Sequence, residues 1–177
     1  GTSTINGESN LTFNGSTLAV TGDLSATERI NFGTDNTQLG SCASILGGER
    51  NTMIMGASHT TIGGGFRNSA SDASTDCAFI GGGCGNKVSS QYNIVVGGQN
   101  NVAASNYSAI VGGANNNNQG CHGFIGGGSS NTNGLNCVTS LIGGCTNTID
   151  SGVNCSILLG GRENCMYAGT SLSVYCT

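Results

Sequence analysis

Nine carboxylates, two histidines and nine cysteines are the side chains of this 177-residue chain that suit acid–base, nucleophilic or metal chemistry. Their spacing argues against most of it. Glycoside hydrolysis needs two carboxyl groups about 5–10 Å apart in a cleft. Among Glu8, Asp23, Glu28, Asp35, Glu49, Asp72, Asp76, Asp150 and Glu163, only Asp72 and Asp76 lie close in sequence. Both fall in a polar stretch that reads as a solvated loop. Catalysis by Ser/His/Asp or Cys/His is no better supported, because serine is scattered everywhere and His59 and His122 recur at one place in a repeat. The chain is therefore expected to be no enzyme, with no catalytic residue, cofactor or metal assigned.

The element that positions these residues is a phrase repeated eight times: two glycines, two free positions, then asparagine. The second glycine and the asparagine are Gly48 and Asn51, Gly65 and Asn68, Gly83 and Asn86, Gly98 and Asn101, Gly113 and Asn116, Gly128 and Asn131, Gly144 and Asn147, Gly161 and Asn164. The second glycines stand 17, 18, 15, 15, 15, 16 and 17 residues apart, and a near-fixed period of that kind signals a solenoid. Three residues before each second glycine the side chain is aliphatic: Ile45, Ile62, Ile80, Val95, Ile110, Ile125, Leu141, Leu158. These are the expected core. The next residue is aliphatic or glycine and never polar, which suits a strand screened from water on both faces. Two residues after the asparagine the side chain is again mostly apolar, with Asn118 and Asn133 breaking the rule.

Each unit thus reads as one coil of about 15–18 residues: a short strand, a tight glycine turn and a second short strand running back. Glycine supplies positive φ and close backbone approach. Asparagine either closes the turn locally or joins its stacked copies in a ladder. The fold class is all-β, a parallel β-solenoid over residues 41–166. Residues 1–40 form a small β region with a hairpin, Leu11-Thr12-Phe13 and Leu18-Ala19-Val20 about Asn14-Gly15, and residues 167–177 form a terminal coil or cap.

Composition agrees. Charged residues make up 8% of the chain and proline is absent, as suits a backbone hydrogen-bonded to neighbours over most of its length. A net charge of −4 gives no footprint for nucleic acid or an anionic membrane, and no apolar run is long enough for a membrane-spanning helix. The nine cysteines include no CxxC pair. They are expected to be mostly reduced, buried apolar fillers, with pairing between coils, Cys137 with Cys155 for example, left open.

A coil of this size encloses a thin core and buries little alone. Six residues before the second glycine stand Cys42, His59, Cys77, Tyr92, Tyr107, His122, Val138 and Cys155, a stripe of buriable residues that suits contact with other copies of the chain. A homotrimer is the expected state. Three imidazoles about a threefold axis would make a competent metal site, but a packed or partly exposed histidine is the preferred reading. Length variation gathers between the asparagine and the next aliphatic strand. The insertion carrying Ser69, Asp72 and Asp76 is the candidate recognition loop, its partner a cell-surface glycan or protein receptor.

Segments such as Tyr107-Ser108-Ala109-Ile110-Val111-Gly112-Gly113 resemble the head repeats of YadA-type trimeric adhesins. That resemblance implies a left-handed parallel β-roll of three identical chains. The chain departs from the family in its longer, variable repeat, its Gly-Gly-x-x-Asn signature and its cysteines. The opening stretch from Asn10 to Asp23 is similar to segments of phage and algal-virus tail fibres. Scattered thiols favour assembly in a reducing cytosol, as for virions, over export through an oxidising periplasm. The expected function is a rigid spacer in a trimeric viral tail fibre with receptor contact through insertion loops, located on the virion surface. The alternative is a secreted bacterial adhesin or matrix filament at the cell surface. An ice-binding solenoid would need a flat face of regular threonines, which these repeats lack.

Overall fold

The computed structural model describes residues 11–13, 18–20 and 29–168. Leu11–Phe13 and Leu18–Val20 pair antiparallel, with Leu11 opposite Val20 and Phe13 opposite Leu18. The Asn14-Gly15 turn and the terminal segment with Leu172 and Val174 lie outside the described residues.

The rest is a β-solenoid of nine coils. The first strands of successive coils form one nine-stranded sheet, and the second strands form another. Every pairing in both sheets is parallel and links a coil to its neighbours. Val95 lies between Ile80 and Ile110 in the first sheet, and Val88 between Ala70 and Ala103 in the second. Parallel strands cannot be joined by a two-residue turn, and here the other half of the coil makes the crossover. Among the described residues there is no helix, and hence none long and apolar enough to cross a membrane.

The stack begins one coil before the first glycine doublet. Arg29–Asn31 pairs with Ala43–Ile45, and Thr37–Gln38 pairs with Thr52–Met53. The expected boundary near Gly40 therefore falls inside the solenoid. Gly33, at φ +99°, fills the second-glycine slot of this coil without a glycine before it, and Asn36 fills the asparagine slot.

The eight aliphatic residues from Ile45 to Leu158 are fully buried. They face Met53, Ala70, Val88, Ala103, Ile149 and Met166, also buried, across the narrow space between the sheets. Asn118 and Asn133 break the apolar pattern yet point inward as well. Asn133 Nδ2 donates to Asn118 Oδ1 at 3.0 Å, Asn118 Nδ2 donates to the Ala109 carbonyl at 3.1 Å, and the Thr139 hydroxyl donates to Asn133 Oδ1 at 2.8 Å. A buried amide is tolerated when its donors and acceptors are met, and here they are met by one another across adjacent coils.

Two corners shape every coil. One lies six residues before the second glycine, and its residues take φ between 51° and 59° from Cys42 to Cys155. The other lies two residues after it, at Asp35, Arg50, Arg67, Asn100, Asn115, Ser130, Thr146 and Glu163, with Gly85 in the same column. Left-handed backbone costs an L-residue roughly 1–2 kcal/mol. The cost is offset because the corner N–H reaches the preceding coil: His59 N–H donates to Ser41 O at 3.0 Å, Tyr107 to Gln91 O at 3.1 Å and Val138 to Cys121 O at 3.0 Å. Val138 is the most strained of the first column, being β-branched at φ 57° and 58% exposed. Val138→Asn should raise the stability of the isolated chain by about 1 kcal/mol, because asparagine tolerates this backbone and little burial is lost. Chemical denaturation of the two proteins checks this.

Candidate functional site

The insertion loop does not gather its residues into a cleft. Ser69 belongs to the strand Ser69–Ala70, paired with Thr52 and Lys87. Asp72 closes the turn that follows: its Oδ1 accepts from the Ser74 N–H at 3.3 Å and from the Ser74 hydroxyl at 3.2 Å, while its carbonyl accepts from Thr75 N–H at 2.9 Å. Thr75 is buried beneath. Asp76 turns the other way. Its Oδ1 lies 3.0 Å from His59 Nδ1, one coil back, and 3.0 Å from the Cys77 N–H. The two carboxylates thus serve separate local structures.

The cysteines are not core fillers. Among the described residues eight are free thiols, and every one is exposed or half-buried. Cys42, Cys77 and Cys155 stand at the first corner, Cys84, Cys121, Cys137 and Cys145 at isolated bridges beside the strands, and Cys165 in the strand Cys165–Met166. Cys137 and Cys155, offered above as a pair, are not joined. Cys155 N–H instead donates to Cys137 O at 3.1 Å, and the residue in register with Cys137 is Cys121. Loss of solvation, then the charge and hydrogen bond of the Asp76 carboxylate, push the Cys77 thiol above its ordinary value. The thiolate is the nucleophile, so Asp76→Asn should speed alkylation of Cys77 severalfold at neutral pH. Site-resolved mass spectrometry reads that rate, and an unchanged rate would mean the thiol does not feel the carboxylate.

The larger feature is a face. Leu46, Val96, Val111, Ile142 and Leu159, expected to be screened on both sides, are between 45% and 51% exposed. They line the outer surface of the first sheet because strand side chains alternate, so that the neighbour of a core residue must point outward. Phe79, Ile94 and Ile157, two positions earlier, add to the same surface. Sequence reasoning missed this second row, whose alternation with small polar residues in other coils hides it. Along its edge runs the first corner column, where Tyr92 stacks on Tyr107 and Tyr107 on His122, each pair with ring centroids 4.7 Å apart and planes within 8°. Exposed apolar side chains gathered on one face are the kind of surface that interaction sites use.

A column of glycines lies beside it. The first glycine of the doublet needs no special backbone at Gly47, Gly97, Gly112 and Gly143, and a Cβ there would meet nothing within 4 Å. The second glycine is different: every copy has positive φ, and from Gly48 to Gly144 each abuts the next coil. Within one chain only the second glycine is demanded throughout.

No protein-family model matches this chain, and no curated protein matches it. The reading of its function therefore rests on the fold and on this face.

Proposed function

We propose that this chain is a non-catalytic structural segment of a homotrimeric fibre of the viral tail-fibre kind. The solenoid acts as a rigid spacer, and the insertion loops, that from Ser69 to Asp76 foremost, contact a cell-surface glycan or protein receptor. The observation that carries this reading is the apolar outer face of the first sheet, about half exposed in the single chain. Two further copies are its occupants. The first-glycine column supports them, since at Gly47, Gly97, Gly112 and Gly143 glycine recurs where the chain's own fold would accept a side chain; a neighbouring backbone packed against that column accounts for the repetition. The left-handed roll of YadA-type heads belongs to the same reading.

The thiols support the viral setting. Eight exposed or half-buried cysteines would cross-link at random during export through an oxidising compartment, whereas assembly in a reducing cytosol leaves them free. Rigidity follows from stacking, because each inner coil is paired with both neighbours through two sheets.

Sedimentation velocity at micromolar concentration should return the mass of a trimer, and a monomer would overturn the reading. Labelled antibody imaging should then place the chain on a virion fibre. Finding it on a bacterial envelope would favour the adhesin alternative.

A further inference from the structure

The first corner column brings three different donor types together at one point. His59 and Cys77 occupy successive rungs, at φ 52° and 53°, each tied by its N–H to the preceding coil, His59 to Ser41 O and Cys77 to Ser58 O, both at 3.0 Å. Asp76 immediately precedes Cys77, and its carboxylate is drawn back onto His59. A ring nitrogen of His59, a carboxylate oxygen of Asp76 and the Cys77 sulfur all lie within 4.8 Å of one another. The exposed His59–Asp76 contact accounts for those two side chains alone. It does nothing to account for a thiol beside it.

We propose that His59, Asp76 and Cys77 bind a divalent transition-metal ion of the zinc class. Imidazole, carboxylate and thiolate are the three ligand types zinc takes, and three protein ligands with a fourth position open is a common arrangement. Bond lengths of about 2.0–2.3 Å place tetrahedral donors roughly 3.3–3.5 Å apart for this set, so the three groups need only side-chain rotation to close on an ion. The backbone need not move, because both rungs are already held in register. Binding replaces the Cys77 S–H bond with a sulfur–metal bond, the proton passes to solvent and no electron is transferred. The site is complete within one chain and does not depend on the trimer.

Chelator-washed, reduced full-length chain should be titrated with Co²⁺ as a spectroscopic stand-in. A saturable thiolate-to-cobalt charge-transfer band in the near ultraviolet, with visible bands of tetrahedral intensity, is expected at one ion per chain. Zn²⁺ should displace it. Cys77→Ser should abolish the charge-transfer band, and His59→Ala should keep it while weakening binding by no less than the ~10–100-fold that loss of an outer-sphere partner costs. Cys42→Ser, which changes an exposed thiol one rung away in the same column, should leave the spectrum intact. All three side chains are exposed or half-buried, and matching thermal unfolding of each variant with the parent excludes a folding defect. A band that survives Cys77→Ser, or the absence of a saturable spectrum, overturns the proposal.

Discussion

Gly113→Ala should unfold the middle of the solenoid, while Gly112→Ala, one residue earlier, should leave it intact. A Cβ at Gly113 would overlap the carbonyl oxygen of Gly128 on the next coil, and would stand 2.7 Å from Asn116 Nδ2 and 2.8 Å from the Gly128 amide nitrogen. None of these is the free end of a flexible chain. Two are backbone and the third is held in the ladder. The φ of +86° adds the ordinary penalty of an L-residue in left-handed backbone. To accept the methyl group the coils must part, and parting breaks the parallel pairings on both sheets. The expected loss exceeds about 4 kcal/mol, in the range reserved for named structural failures. At Gly112 the same Cβ meets open space within the chain and φ is unremarkable for any residue, so in dissociated single chains the change should stay within about 0.5 kcal/mol, its cost falling instead on the proposed contact between copies. Denaturant unfolding and hydrogen exchange across the coils from Val95 to Leu141 measure both. If the two variants were equally damaged, the two glycines would have one shared role and the reading of the corner would fail.

This contrast also shows what could be read from the sequence. The doublet, the asparagine and the aliphatic residue three before the second glycine keep their spacing in all eight copies, and together they specify a coil, its core and its period. Lateral detail was harder. The doublet hid a difference between its members that only the neighbouring coil reveals. The coil at Arg29 carries one glycine instead of two and escaped the pattern. The left-handed corners were illegible because Cys42, Tyr92, Tyr107 and Val138 are not residues that seek positive φ; stacking imposes it on them, and local preference yields to tertiary hydrogen bonding. The cysteines were misplaced for a related reason. A small apolar side chain looks like core in composition, yet at the first corner Cys42, Cys77 and Cys155 are exposed. The meeting of His59 with Asp76, residues from different coils, follows from the corner register and from nothing visible in their local sequence.

The asparagine column fills both of the roles open to it, and Asn101→Asp tests this most severely. Asparagine here is at once a local clasp and a rung. From Asn51 to Asn147 each Nδ2 donates to the first glycine carbonyl of its own coil at 2.8–3.1 Å and to the second glycine carbonyl of the next at 2.9–3.0 Å. Each Oδ1 accepts the next asparagine's N–H, as Asn101 does from Asn116 at 3.0 Å. Asn101→Ala therefore leaves the N–H of buried Asn116 and the half-buried carbonyl of Gly97 without their partner, while the Gly113 carbonyl loses one of its two donors and keeps the Gln99 N–H at 2.9 Å. At about 1–3 kcal/mol for each of the two orphans, less for the half-buried carbonyl, the expected loss is roughly 2–4 kcal/mol. A residue that only closed its own turn would cost about 1 kcal/mol instead. The carboxylate of Asn101→Asp keeps the bond from Asn116 N–H but turns an acceptor onto two carbonyl oxygens. At neutral pH it should be worse than alanine. Burial and those carbonyls favour the protonated form, raising the folded-state pKa above the unfolded value of about 3.9. Fewer protons are then bound in the unfolded state, so stability falls as pH rises from the unfolded pKa to the folded one and is best below both. The protonated acid can donate to only one of the two carbonyls, so acid relieves the defect without abolishing it. Unfolding midpoints of parent, Ala and Asp variants across the acidic range measure this, and an Asp variant that is no more stable in acid than the parent's own pH dependence allows would contradict the ladder.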